Sequence, residues 1–489
     1  MILAICFFTP AFSDAITVSA EEIERAAPVD LITLNKNYLV LTVNGTQTVT
    51  AKHSGTSGAT SVVSWSTADS SVATVSPSSG DTVTVTARKS GFTTLTVYKG
   101  SRSVSIPVYV VKSGLSGTFF IQGFSSKRII DVENMSKVSG SNLIQNDYYA
   151  NRVQKWKIES VGNYYTIKSV YSGNYIGIAN TQNDSVIQQH SSANTDNEKW
   201  VILPESDGSY RFIPVACLSS SYSLSIVSGS TQAGANLCIS KFDSSKSKWA
   251  IRNDTVKIQF TYDHGFIKRN QVGSETDAET KEKIANNIKN NYLMHVSAAF
   301  AQCGIFLELN TISNYLSDAD SCPTAGTNIN ANCTCITTER CILDYSNSPY
   351  ENNNVSGFVY NAHHKSIVRL RNNLISSIPN NTIRVTYTGH IVCCYNEYDG
   401  SHDYTTKGLA DYNYPIICIR DAQVNNELRS NLVLAHELSH IYGIVHHDPI
   451  QGTPCIMDTS HYNGMNFENT DDYWCSSCKN TIIANKDKY

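Results

Sequence analysis

Between residues 31 and 111 the chain alternates short β-branched runs with turn residues. The stretches "YLVLTVNG", "TQTVTAKH", "SVVSWSTA", "TVTVTARK", "TTLTVYKG" and "SVSIPVYVV" place apolar side chains at alternate positions over part of their length. That is the period of a strand with one buried face. Strands this short, separated by Gly, Ser and Asn, predict an all-β sandwich with Trp65 as a core anchor. From 116 to 252 the pattern becomes a threefold repeat. Each unit opens Gly-x-aromatic, at Gly117, Gly162 and Gly208, and closes on a tryptophan, at Trp156, Trp200 and Trp249. The openings are 45 and 46 residues apart and the closings 44 and 49. Units of this size cannot bury their own faces, so they predict a threefold-symmetric β structure with the tryptophans in a shared core.

Beyond residue 254 the period changes again. "TVKIQFTYD" predicts a strand, and Ile284, Ile288, Leu293, Val296 and Phe300 recur at helical spacing, with Gly304 placed to stop the helix. This predicts one long helix over 277–304. "GIFLELNTI", "SIVRLR", "TIRVTYTGHIVCCY" and "NYPIICIRD" read as further strands, and the Asn-, Ser- and Cys-rich stretch from about 311 to 365 as an irregular insertion. A last helix is predicted from Asn425 to Tyr442, ended by Gly443. Strands and helices mixed in this order predict an α+β domain over 254–489, after a sandwich over 30–112 and the threefold β domain over 116–253.

A length of 489 residues suits about three domains. The net charge is −4 and only 16% of residues are charged, which leaves no basic field for nucleic acid. The opening "MILAICFFTPAFSDA" has the size of a secretory apolar region and is too short for a membrane span. It predicts an export signal over about residues 1–20, no transmembrane segment, and a secreted or surface location. Eleven of the 14 cysteines fall between Cys303 and Cys478. In an exported protein that density reads as disulfide stapling, with one thiol left over from an odd number.

The candidate chemistry lies in "VLAHELSHIYGIVHHDP". His436 and His440 are four residues apart on one helix and so share a face, where they can offer two imidazole nitrogens to one metal. Glu437 follows the first of them, where its carboxylate can take a proton from a water activated there. Gly443 lets the chain leave the helix, and His446, three residues on, can return as a third ligand. The pattern His436-Glu437-x-x-His440-x-x-Gly443-x-x-His446 resembles the metzincin clan of zinc endopeptidases. The resemblance implies one catalytic Zn²⁺ on the three histidines, Glu437 as general base, and Met457 of "PCIMDTS" in a tight turn below the metal. It further implies that "KGLADYNYPIICIRD" holds an edge strand receiving extended polypeptide. "CIM" is similar to the adamalysin/reprolysin version, but His447 stands where adamalysins carry Asp. Thr459, not Tyr, stands two residues after Met457, so the tyrosine-liganded astacin and serralysin pattern is not met.

The first domain resembles the bacterial immunoglobulin-like (group 2) domain through "WSTADSSVATVS" and "SGFTTLTVY". The threefold repeat resembles the ricin-B-type β-trefoil, whose units end Gln-x-Trp; only the first keeps the Gln, as Gln154. In that family an early Asp and a downstream aromatic hold sugar. The matching residues are Asp131 with Tyr148 or Tyr149, while the equivalent places in the later units are Gly177 and Ser225. Asp131 could equally cap a turn. His363, His364, His390, His402 and His461 read as surface or satisfied histidines, and Cys475-x-x-Cys478 either as disulfide halves or as a second metal site with Cys333 and Cys335. The expectation is a secreted zinc endopeptidase acting on a polypeptide or glycoprotein, with a possible glycan ligand. The alternatives are a surface adhesin or lectin with an inactive peptidase domain, and a zinc amidase acting on non-protein amides.

Overall fold

A computed structural model describes residues 31–54, 63–150, 152–262, 266–267, 270–314, 378–388, 394–395, 402–403, 408–410, 415–420, 427–449, 455–458 and 473–488. The expected export signal, most of the Cys-rich insertion, the "SIVRLR" strand, and His363, His364, His390 and His461 lie outside these residues. The chain is a mostly-β multidomain protein that divides into two compact units. One is residues 1–114 with the segments Val201–Glu205 and Cys217–Ser221; the other is Leu115–Trp200, Ser206–Ala216 and Tyr222–Tyr489.

Residues 31–111 form two four-stranded sheets. One runs in the order Leu31–Leu34, Thr46–Ser54, Thr82–Ala87, Ala73–Ser76, and the other Leu39–Thr42, Arg102–Val111, Gly91–Lys99, Ser64–Thr67. Alternation decides which side chains enter: Val83, Val85, Ala87, Leu95 and Val97 are buried while the residues between them face outward. Trp65 is buried among them and donates its indole N–H to the Gly80 carbonyl at 2.8 Å.

The threefold repeat is built as three copies of one device. Trp156, Trp200 and Trp249 are fully buried, and their indole N–H groups donate to the carbonyls of Ile130, Ile176 and Leu224 at 3.1, 3.0 and 3.0 Å. Burying a tryptophan favourably requires a partner for that N–H, and each unit supplies it from the residue just before Asp131, Gly177 or Ser225. The hairpin registers agree: Asp131 lies opposite Ile144, Gly177 opposite Gln188, and Ser225 opposite Cys238.

The region from residue 254 has a five-stranded sheet in the order Leu307–Asn314, Val256–Tyr262, Thr382–Thr388, Ile416–Arg420, Gly408–Ala410. The first three pairings are parallel and the last antiparallel. Ile258, Phe260, Ile383, Val385, Tyr387, Ile417 and Ile419 carry the sheet into one core with the helices. The predicted long helix is interrupted. Helix α1, Asp277–Asn287, starts at a capping box between Thr276 and Glu279, one π turn spans Ile288–Tyr292, and α2 continues over Leu293–Gln302. The wider turn shifts the helical phase by one residue, so that Ile288, Tyr292 and Leu293 are all buried. Gly304, at φ +82°, turns the chain away where predicted. Helix α3 covers Glu427–Ile441 and α4 covers Ser476–Ala484.

Within the second unit the first repeat packs on this region. Phe120 stacks on Phe306 at 5.9 Å, and Tyr148 meets both rings edge-on. Tyr148 also donates its hydroxyl to the Leu307 carbonyl, Gln122 donates to the Ala301 carbonyl, and Lys155 pairs with Glu308. Among the described residues no helix is long and apolar enough to cross a membrane.

Candidate metal centre and candidate glycan site

Helix α3 buries Leu434, Ala435, Leu438 and Ile441 completely in the core. That anchoring sets the adjacent face, where His436, Glu437 and His440 are each only 5% exposed. Gly443, at φ +87°, gives the left-handed residue that ends the helix, and its N–H donates to the His440 carbonyl at 2.9 Å. The chain then returns, and His446 reaches the pair from the exposed side. His440 Nε2 lies 3.1 Å and His446 Nε2 2.9 Å from His436 Nε2.

The other nitrogens explain this convergence. His436 Nδ1 is 2.7 Å from the Ile456 carbonyl oxygen, and His440 Nδ1 is 2.7 Å from that of Ile444. A carbonyl only accepts, so both Nδ1 atoms carry the proton and both Nε2 atoms present lone pairs. Burial pushes the imidazolium forms away, His436 down to about 3 and His440 to about 4, with His446 also lowered. Two acceptor lone pairs 3.1 Å apart in a buried site repel unless a cation lies between them. Tetrahedral zinc, with bonds of roughly 2.0–2.1 Å, holds ligand nitrogens about 3.3 Å apart, so the donor set fits that ion.

Glu437 is buried beside the pair, and loss of water pushes its carboxyl up to about 8. It lies against the backbone of Gly408, where an added Cβ would sit 2.5 Å from Glu437 Oε1. The requirement for glycine in this short outer strand was not legible beforehand; a glycine inside a predicted strand was its only signal. Nor were the Ile444 and Ile456 carbonyls, which orient the histidines but belong to residues of no distinctive chemistry. Met457 is fully buried in a turn whose Asp458 N–H donates to the Cys455 carbonyl at 3.2 Å. His447 turns away from the three histidines. Its Nδ1 lies 2.8 Å from the Asp448 carbonyl, and its Nε2 lies 3.3 Å from Cys455 Sγ.

The cysteines depart from expectation. Cys217, Cys238, Cys303, Cys455, Cys475 and Cys478, the six whose side chains are described, are thiols and not disulfide halves. Cys333 and Cys335 lie outside the described residues; the neighbours of Cys475 and Cys478 are instead Cys455 and His447.

In the trefoil, Asp131 is 4% exposed. Its Oδ1 accepts from the Val132 N–H, and its Oδ2 from Asn146 and Gln154 at 3.2 and 3.1 Å. Three of the carboxylate's roughly four acceptor positions are thereby used. Burial raises its carboxyl while these hydrogen bonds oppose the rise. Tyr149 is half-buried and joins the network by donating its hydroxyl to Asn146 at 3.0 Å. Tyr148, unlike the sequence expectation, is closed to a sugar: it is 1% exposed, and its ring and hydroxyl are both engaged by the neighbouring region. The other units fill the same three places differently. In the second, His190 Nδ1 meets Glu198 at 3.0 Å, and a Cβ on Gly177 would come within 2.8 Å of the His190 ring. In the third, Ser225 bonds Ser247 at 2.7 Å and Ser240 at 2.9 Å.

Two stretches match family models. Residues 28–108 match the bacterial Ig-like domain (group 2), and residues 108–180 and 154–240 match the ricin-type beta-trefoil lectin domain-like family. The first is an Ig-like domain and the second a lectin-like trefoil. No curated protein matches the chain. Among solved structures, the designed threefold symmetric protein ThreeFoil is similar at 26% identity, over 28% of this chain and 99% of that one, with a TM-score of 0.27. The agglutinin of Rhizoctonia solani is 18% identical over 29% of this chain and 98% of its own, with a TM-score of 0.27. A ricin B-like lectin of Macrolepiota procera, solved in complex with lactose, is 18% identical over 28% and 96%, with a TM-score of 0.25.

Proposed function

We propose that the protein is a zinc-dependent endopeptidase of metzincin type that works outside the cell, where its Ig-like and lectin-like domains direct it to glycoprotein targets. One observation carries the reading: two buried imidazoles with their Nδ1 protons committed to carbonyls and their Nε2 lone pairs converging with a third, beside a buried glutamate. His436, His440 and His446 would hold the ion, which when bound supplies a Lewis acid for a carbonyl and acidifies a water. Glu437 would act as the general base, its carboxylate taking a proton and returning it to the leaving amine. Gly408–Ala410 is the outer strand next to Ile416–Arg420 among the described residues, and such a strand can pair with an extended substrate through backbone hydrogen bonds.

Support for a glycan ligand is narrower. It rests on the lectin-like family match and on Asp131 with Asn146, Gln154 and Tyr149, the one unit with a carboxylate at that place. The test is incubation of the full chain with a glycoprotein and with an unglycosylated protein, each with and without chelator. Chelator-sensitive cleavage, faster on the glycoprotein, is expected. No cleavage of either, by protein shown to contain zinc, would remove the peptidase reading; equal rates would remove the glycan targeting.

A further inference from the structure

Beside the three histidines lies a second group of donors that the proposed reaction does not use. His447 Nε2 and the Cys455, Cys475 and Cys478 sulfurs all lie within 4.8 Å of one another, and the three cysteines are buried at 0%, 3% and 4% exposure. His447 Nε2 is 3.3 Å from Cys455 Sγ and 3.7 Å from Cys475 Sγ. A tetrahedral zinc with Zn–S of about 2.3 Å and Zn–N of about 2.05 Å sets those edges at roughly 3.6 Å. The imidazole is prepared as in the first group. Its Nδ1 donates to the Asp448 carbonyl at 2.8 Å, which leaves a lone pair on Nε2 facing the sulfurs. Backbone N–H groups of Cys475 and Met457 point at Cys455 Sγ. Cys475 caps the N-terminus of α4 and Cys478 lies in its first turn, where the helix dipole favours negative charge. The number of thiols matters as well. One disulfide could use only two of the three and would strand the third beside the imidazole, whereas one metal ion uses all four donors.

We infer that His447, Cys455, Cys475 and Cys478 form a second metal site, of Cys3His type and suited to Zn²⁺, which no matched family supplies. Four protein ligands fill a tetrahedron and leave no open position, so the site is structural. Its consequence follows from what its ligands adjoin. His447 follows His446 in the chain, and Cys455 precedes Ile456, whose carbonyl orients His436. The His447 N–H also donates to the Met457 carbonyl at 3.2 Å, and the Ile456 N–H to that of Tyr473 at 2.9 Å. A metal here would pin the return loop, the Met457 turn and α4 to one point and so hold the first site's ligands in place. The site stands without the peptidase reading; only its effect on cleavage rests on that reading.

The test uses the full-length chain purified without reductant, as wild type, Cys478→Ser and His440→Ala. Zinc content is expected to be two per chain in the wild type and to fall by about one in each variant. Cobalt-loaded wild type and His440→Ala should both show a thiolate-to-cobalt charge-transfer band, which a histidine-only site cannot give, and Cys478→Ser should lose it. Peptide mapping should find Cys455, Cys475 and Cys478 as thiols after unfolding in chelator. A mapped disulfide among them, or a cobalt-loaded His440→Ala protein without the thiolate band, would overturn the proposal. Because the His440→Ala and wild-type readings suffice, a poorly folding Cys478→Ser protein does not blunt the test. Two metals with no cleavage of any substrate would instead count against the peptidase reading alone.

Discussion

The Asp131 network and the three-histidine cluster are both groups of polar side chains centred on buried residues, yet they are closed in opposite ways. Around Asp131 every donor meets an acceptor: Val132, Asn146 and Gln154 give hydrogen bonds to one carboxylate, and Tyr149 gives one to Asn146. The other two units repeat the solution with a His–Glu pair and with three serines. Around His436 the carbonyls accept the Nδ1 protons of His436 and His440, and the two Nε2 atoms face one another at 3.1 Å. The first arrangement is complete as protein. On the proposed reading the second would be completed by a cation, and it is this difference in donors and acceptors, more than burial, that separates the two clusters.

The sharpest way to break this comparison is Glu437→Ala. Cleavage should fall roughly 100- to 10,000-fold, the range for losing a general base, with zinc content unchanged by elemental analysis. Full activity would show that the cluster binds metal for some other purpose. Asp131→Ala tests the opposite pole. It removes the acceptor of the Val132 N–H, of the part-buried Asn146 amide and of one Gln154 N–H, while Gln154 keeps the Asp147 carbonyl, so stability should drop by about 1–3 kcal/mol in denaturant unfolding, by the same amount with and without chelator. A chelator-dependent loss would mean that the two clusters are not independent. Gly408→Ala forces Glu437 from its position; displacing the general base should lower kcat tenfold or more, and overpacking should separately cost about 1–3 kcal/mol of stability in denaturant unfolding. An unchanged rate would place the Gly408 strand away from the reaction. Smallest is Ser225→Ala, which removes one member of the serine set. It should cost about 1 kcal/mol and leave metal content and cleavage untouched.

How much of this was legible in the chain differs between the two clusters. The histidine spacing is local: one turn of helix places His440 over His436, and Gly443 sets the return of His446, so the convergence of the three rings was legible in 11 consecutive residues. The trefoil positions were legible for another reason, because repetition marks equivalent places, and Asp131, Gly177 and Ser225 do fall at equivalent registers. What escaped notice comes from distant segments. Gly408 against Glu437 and Cys455 near Cys475 join residues whose meeting depends on how strands and turns pack. The burial of Tyr148 was not legible for that reason, since nothing within its own repeat announces that Phe306 and the Leu307 carbonyl will cover it. The π turn at Ile288–Tyr292 escaped because helical spacing tolerates a one-residue phase change without breaking the apolar pattern.

That covering of Tyr148 also bears on reach. The first repeat is fastened to the sheet region by an aromatic stack, backbone-directed hydrogen bonds and an ion pair. No flexible tether has to be searched within the unit. For two modules on a loose linker, a second contact is sampled over many distances at an effective concentration set by linker length. Here a sugar held at Asp131 would stand at one fixed span from the three histidines. Cleavage sites on a glycoprotein should then cluster at a set number of residues from the occupied glycan, as ruler marks, and should not spread along the chain.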